Sequence, residues 1–396
     1  MSEVPAYLRP EIASLETSRI QQIFDLGLGR KDLIALWVGE GDRPTPDFIC
    51  DAATAAMKAG HTYYTYKHGI PELREAIARY TSDLYKIDCA AERVSVTCSG
   101  MNGIMMVLEA FVGPGDNVAV VTPVWPNVMS AVQIAGGTVR AVQLEVLPEG
   151  GFKLDLDRLE SALDERTRAI FIASPGNPTG WVMSREEQRR VLELCRARRI
   201  WMIADEVYAR FIYDGAATGR EAAPSFLEIS EPEDPLIVVN SFSKAWAMTG
   251  WRMGWLITPP SFLPTLGRLI EFNTSGSPHF QQFACVTAIR DGEDYVRDTV
   301  ERCRRGGEVV YQRLAALPRV HMAKPQGAFY AFFRVEGLKD SMAFAKRLLQ
   351  ETNVGLSPGS AFGPGGEGHM RLCFAASTER LSAAMDRLEP VLAKPV

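Results

Sequence analysis

Paired cysteines are missing from this sequence. Seven cysteines, an odd number, are scattered at positions 50, 89, 98, 195, 285, 303 and 373, and no C-x-x-C occurs. That pattern excludes a disulfide frame and a zinc cluster and implies a reducing compartment; the five histidines show no ligand spacing either. Also missing is any apolar run near the ~18 residues of a membrane span. Basic patches are scarce. The formal charge is −5, and the densest basic cluster, "RCRR" at 302–305, reads as a solvated helix face. Neither nucleic acid nor an anionic membrane is expected as a partner. The opening "MSEVPAYLRPEIASLETSRIQQIFDLG" is acidic and helical-amphipathic, unlike a signal or transit peptide, so a cytoplasmic location is expected. No strand–G-x-G-x-x-G–helix unit occurs, which sets aside a nicotinamide dehydrogenase. Internal repeats and low-complexity linkers are absent as well.

What is present is a chain able to bury a large core: 46% of its 396 residues are hydrophobic and 23% charged. The middle of the chain carries seven short apolar runs: "RVSVT" (93–97), "NVAVV" (117–121), "VRAVQL" (139–144), "AIFIA" (169–173), "IWMIA" (200–204), "LIVVN" (236–240) and "GWLIT" (254–258). Helical patterns separate most of them, such as "SREEQRRVLELCRARR" (184–199), which opens on a Ser-x-x-Glu capping box. Doubly buried strands alternating with helices predict an α/β fold: a mostly parallel seven-stranded sheet sandwiched by helices. The last two runs are too close for a crossover helix, so one strand there is expected to be antiparallel. The tail differs in texture. A long helical pattern over 293–317, softened at Gly306-Gly307, precedes "GAFYAFFRV" (327–335), a helix at 340–352, "HMRLCFAAS" (369–377) and a final helix. These predict a large domain over 46–290 and a smaller α+β domain from 1–45 plus 291–396.

In an open α/β sheet, ligands bind beyond the carboxyl ends of the strands. Five of these strand ends carry distinctive residues. They are Ser99, Gly100, Met101 and Asn102; Trp125; Asn177; Asp205, Val207 and Tyr208; and Ser241, Ser243 and Lys244, with Arg252 eight residues later. Each has a plainer role if taken singly: Asp after a strand as a helix cap, "SPGNPTG" as a turn, Trp125 and Val207 as core, lysine in solvent. Together they match one ligand with a phosphate, a flat ring, a ring hydroxyl, a basic ring nitrogen and an aldehyde, namely pyridoxal 5'-phosphate. A helix start with Gly100, the serines and Arg252 suits the phosphate dianion. Trp125 can stack on the ring. Asp205 can keep the ring nitrogen protonated, and Asn177 and Tyr208 can bond the ring oxygen. Lys244, set among apolar neighbours in "NSFSKAWAMTGWRMGW", loses its proton more readily than an exposed amine. It can then attack the aldehyde and later shuttle a proton.

With "VGEGDRPTP" (38–46), "YTYKHGIPELREAIA" (64–78), "TCSGMNG", "TPVWPN", "SPGNPTG", "ADEVY", "SFSKAWAMTGWRMGW", "PQGAFY" (325–330), "PGSAFG" (358–363) and "HMRLCFA", the chain resembles the fold-type I class I/II aminotransferases of the aspartate aminotransferase superfamily over nearly its whole length. The resemblance implies that Lys244 is the imine lysine. It implies that Arg371 pairs with the substrate α-carboxylate, and an arginine in an otherwise apolar strand does need a partner. It further implies that the Gly39 backbone touches the same carboxylate, and that Tyr64 reaches a phosphate in the neighbouring subunit of a homodimer with shared active sites. Two departures stand out. Gly41 and Arg43 replace a common proline and aromatic. Met101-Asn102 stands where some aspartate-using relatives carry a lysine, which weakens a dicarboxylate-specific reading.

The activity implied is transfer of an L-amino acid's amino group to a 2-oxo acid by a ping-pong mechanism. Alternatives on the same scaffold are a C–S β-lyase, recognisable by pyruvate and ammonia released without an acceptor, and a non-catalytic cofactor-binding sensor module. The sensor reading expects a DNA-binding domain ahead of this fold. The ~40 residues before the motif region are too few for one. Segments 12–20, 273–279 and 327–330 are expected to shape the side-chain pocket.

Overall fold

All seven apolar runs form strands of one sheet in the computed structural model, which describes residues 7–213 and 219–395. They are β1 (Val94–Thr97), β2 (Asn117–Thr122), β3 (Thr138–Gln143), β4 (Thr167–Ala173), β5 (Trp201–Asp205), β6 (Leu236–Ser241) and β7 (Gly254–Ile257). The order across the sheet is β1-β7-β6-β5-β4-β2-β3. Most strands are buried on both faces, as their β-branched composition requires. β7 runs antiparallel to both β6 and β1 and the other pairs are parallel, which meets the expectation from the short β6–β7 connection.

Helices cover the sheet. The helix Arg185–Arg198 starts at the expected capping box: Ser184 accepts from the Glu187 backbone N–H, and the Glu187 side chain accepts from the Ser184 backbone. A second helix start, capped by a side chain but without the reciprocal bond, fixes the site. Helix α1 (Gly100–Phe111) follows β1 after a sharp turn in which Ser99 has φ 97° and its hydroxyl accepts from Asn102 N at 3.2 Å. A positive φ at a non-glycine residue is strained and marks a place where the surroundings dictate the backbone.

The tail builds a four-stranded antiparallel sheet, β8 (Val320–His321), β9 (Tyr330–Val335), β10 (Ser357–Pro358) and β11 (His369–Cys373), in the order β8-β9-β11-β10. Ile34–Ala35 pairs in parallel with Val354–Gly355, so the N-terminal segment joins the tail rather than the seven-stranded sheet. One expectation fails here. Gly306-Gly307 does not soften the long helix, which runs unbroken over Glu293–Ala315. A Cβ on Gly306 would lie 2.6 Å from the Phe374 carbonyl oxygen and 2.8 Å from Leu381 Cδ1, so glycine is there for close approach.

Candidate active site

The carboxyl ends of β1, β2, β4, β5 and β6 open onto a cavity of about 300 Å³. Its lining contains Gly39, Gly100, Met101, Trp125, Asn177, Asp205, Val207, Tyr208, Ser241, Ser243, Lys244, Arg252 and Arg371. The parallel register explains the convergence: Asp205 is paired with Ala173 on one side and Val239 on the other, so the three strand tips end level.

Lys244 follows β6 closely. Its Nζ donates to the Gly39 carbonyl at 2.6 Å and lies 5.6 Å from the centre of the Tyr208 ring. Removal from water pulls its amine down to about 8. Asp205 is buried and its carboxylate accepts a single hydrogen bond among the described residues, from Val207 N at 3.2 Å. Burial pushes it up to about 6, against the smaller pull of Lys244. A buried carboxylate with one backbone donor lacks a partner, and a protonated ring nitrogen would be one.

The first turn of α1 is closely approached by β7, because a Cβ on Gly254 would lie 2.6 Å from Gly100 N. Ser241 and Ser243 face each other, Oγ to Oγ, at 2.9 Å. Arg252 adopts a left-handed backbone at φ 52° and donates to the Thr249 carbonyl at 2.6 Å; no carboxylate pairs with it among the described residues. Helix N–H groups, two hydroxyls and a free guanidinium together can hold a phosphate dianion.

Arg371, from β11, is 2% exposed. Its guanidinium donates to Asn177 Oδ1 at 2.9 Å, Ser357 Oγ at 3.2 Å and the Trp37 carbonyl. It lies between the rings of Tyr330 and Phe362, whose centres are 4.6 and 4.7 Å from it. Its Nε finds no acceptor, and among the described residues no carboxylate meets it. A buried cation without a counter-ion, on the wall of a cavity, is suited to receive a carboxylate.

Three expected residues stand outside this lining. Ser99 caps α1, and Asn102 accepts from Cys98 N within the turn at 3.3 Å and donates to Asn273 Oδ1 of the helix Leu263–Asn273 at 2.9 Å. Tyr64 is 91% exposed on the surface. Of the segments expected to shape the side-chain pocket, 12–20 contributes Ile20 and 327–330 contributes Tyr330; 273–279 contributes none. Sequence reasoning did not single out Trp37, Val38, Glu40, Ile104 or Thr249 as site residues, though all line the cavity. Arg43, one of the two departures in the N-terminal motif, is engaged by Asp298 of the long helix.

Comparison with known proteins agrees with this geometry. The model of the family "Aminotransferase class I and II" matches residues 31–388. An aspartate aminotransferase of Thermotoga maritima is 36% identical over 91% of this chain and 92% of its own length. Aromatic-amino-acid aminotransferase 2 of Thermococcus litoralis is 34% identical over 97% and 98%. The crystal structure of aspartate aminotransferase from Thermotoga maritima superimposes with a TM-score of 0.89, at 34% identity, over 98% of this chain and 100% of that one. The chain belongs to the class I and II aminotransferase family. It is a pyridoxal 5'-phosphate-dependent transaminase of fold type I, and its substrates are amino acids and 2-oxo acids.

Proposed function

We propose that Lys244, Asp205 and Tyr208 are the catalytic residues of this transaminase and that Arg371 selects its substrates. The single observation behind this reading is the juxtaposition in one cavity of an amine drawn down to about 8, a buried carboxylate with one backbone donor and, among the described residues, a buried guanidinium without a counter-ion. The cofactor supplies an electron-withdrawing ring that stabilises negative charge on the substrate α-carbon. The rest falls to the chain. The α1 N-terminus, Gly100, Met101, Ser241, Ser243 and Arg252 anchor the phosphate, with Ser99 and Asn102 shaping the turn. Trp125 and Val207 enclose the ring, and Asp205 holds its nitrogen proton. Asn177 and Tyr208 bond its oxygen. Lys244, as the free amine, takes the α-proton and returns it. Arg371, with the Gly39 backbone beside it, holds the α-carboxylate, and Trp125 and Asn177 flank the substrate.

We further propose a cytoplasmic homodimer with shared active sites, without nucleic-acid or membrane partners. Tyr63, Tyr64, Tyr66 and Phe272 are 81, 91, 67 and 83% exposed, an unusual aromatic display for a free surface. The Lys67–Glu271 ion pair brings the segments of Tyr66 and Phe272 together. The seven cysteines are free. Residues 46–290 would form the cofactor-binding unit and 1–45 with 291–396 the second; each sheet falls within one of these spans.

The test is a panel of L-amino acids with 2-oxoglutarate or pyruvate, following the new amino acid, alongside borohydride trapping and peptide mapping of cofactor-saturated protein. Transamination and a modified Lys244 are expected. A label elsewhere overturns the assignment of the lysine, and sedimentation as a monomer at working concentration overturns the dimer.

A further inference from the structure

Tyr208 and Tyr330 meet at the cavity wall, each buried, and among the described residues neither hydroxyl has a partner besides the other. Of two phenols that share a hydrogen bond, one donates and the other accepts. The surroundings decide which. The Arg371 guanidinium lies 4.6 Å from the centre of the Tyr330 ring. It stays charged at any working pH, and a cation against the face of a phenol makes the hydroxyl a stronger acid. The Lys244 amine stands further off, 5.6 Å from the centre of the Tyr208 ring. In the reading proposed above, on which this inference rests, that amine is committed to the cofactor. Tyr330 is thus the donor and Tyr208 the acceptor.

That direction leaves the single proton of Tyr208 free for the cofactor's ring oxygen. Packing holds the donor in place. A Cβ on Gly39 would stand 2.0 Å from the Tyr330 oxygen but 3.5 Å from that of Tyr208, so the backbone there presses on Tyr330 alone. We infer that Tyr330 is a positioning residue: by donating to Tyr208 it aims the Tyr208 proton at the ring oxygen and strengthens that bond. Hydrogen bonds that run in one direction polarise each other. A stronger donor at the ring oxygen holds negative charge there. The nitrogen that joins Lys244 to the cofactor then becomes less basic. The other charged groups lining the cavity, Glu40, Asp205, Arg252 and Arg371, keep their charge when either hydroxyl is removed.

A pH titration of the cofactor-loaded protein, read by visible absorbance rather than turnover, tests this. The spectrum of the lysine-bound cofactor changes as that nitrogen gains its proton, and the midpoint is measured for the unaltered chain, Tyr330→Phe, Tyr208→Phe and the double variant. Tyr330→Phe should raise the midpoint by about 0.3–1 pH unit, and Tyr208→Phe by more. The double variant should match Tyr208→Phe, because Tyr330 acts through that hydroxyl. Gly39→Ala, which drives a Cβ against the Tyr330 oxygen, should move the midpoint the same way. It serves in place of Tyr330→Phe should that variant fail to take up cofactor. An unchanged midpoint in Tyr330→Phe, or a shift that persists in full once the Tyr208 hydroxyl is gone, overturns the inference and leaves the transaminase reading intact. An unchanged midpoint in Tyr208→Phe instead overturns the placement of Tyr208 on the ring oxygen, and the role of Tyr330 with it.

Discussion

The hydroxyls of Tyr208 and Tyr330 lie 2.6 Å apart, with both rings buried. Tyr208 comes from the turn after β5 and Tyr330 from β9, so this bond joins the two sheets at the cavity wall. It also explains a glycine. A Cβ on Gly39 would stand 2.0 Å from the Tyr330 oxygen but 3.1 Å from the ring carbon that bears it. Gly39→Ala therefore overpacks the site, at roughly 1–3 kcal/mol, and should lower kcat/KM by about five- to a hundredfold. Tyr330→Phe alone removes one neutral hydrogen bond, about 1 kcal/mol or roughly fivefold. The double variant should recover most of what Gly39→Ala loses. Steady-state kinetics of the four proteins in the cycle check this, and purely additive losses would refute the steric account.

Arg371→Lys should leave cofactor content unchanged while raising KM for every amino and 2-oxo acid together. Lysine keeps the charge but loses the two-pronged geometry, which costs about 3 kcal/mol or roughly a hundredfold. A change confined to one substrate would show that the arginine reads side chains instead.

Lys244 gives a prediction in pH. Its amine, drawn down to about 8 by removal from water, attacks an aldehyde only when unprotonated. In cofactor-free protein, the rate of cofactor attachment should rise about tenfold per pH unit below that value and level off above it. Stopped-flow absorbance across pH 6–10 (about the practical range) measures the profile, and Lys244→Ala should show no covalent attachment at any pH.

Glu206, next to Asp205, is structural. Its buried side chain accepts from Ser225 Oγ at 2.7 Å and Phe226 N at 3.0 Å, fixing the turn that follows. Burial, outweighing those bonds, pushes it up to about 8. A carboxyl raised on folding stabilises the folded state fully below its unfolded value, about 4.5, and that contribution is lost as pH climbs through about 8. Asp205 acts in the same sense between its ordinary value and about 6. Urea denaturation of cofactor-free protein should therefore show stability falling from about pH 5 to pH 8, and Glu206→Gln should flatten most of that slope.

Much of this was legible in the sequence because the strands are short, β-branched and followed directly by residues that line the cavity. Lys244 and Asp205 are placed by their strand ends alone. Even the antiparallel β7 followed from the length of its connection. Side chains were harder. Ser99 and Asn102 are expected ligand groups in "TCSGMNG", and the fold adds to this that Ser99 caps α1 and that Asn102 reaches Asn273, contacts that only the folded backbone reveals. Tyr330 and Trp37 come from segments remote in sequence. Nothing local distinguishes them from core aromatics until β9 and the N-terminal segment pack against the strand tips. Gly306-Gly307 misled for a related reason: glycine weakens an isolated helix, but here it admits the Phe374 backbone.

The parallel pairing of Ile34–Ala35 with Val354–Gly355 has a mechanical result. A few residues further on, Trp37 gives its carbonyl to Arg371 and Gly39 gives its carbonyl to Lys244. A short strap of backbone thus has one hand on the guanidinium and the other on the amine. A tilt of the smaller sheet that shifted the arginine would therefore pull on the lysine through this same stretch of backbone.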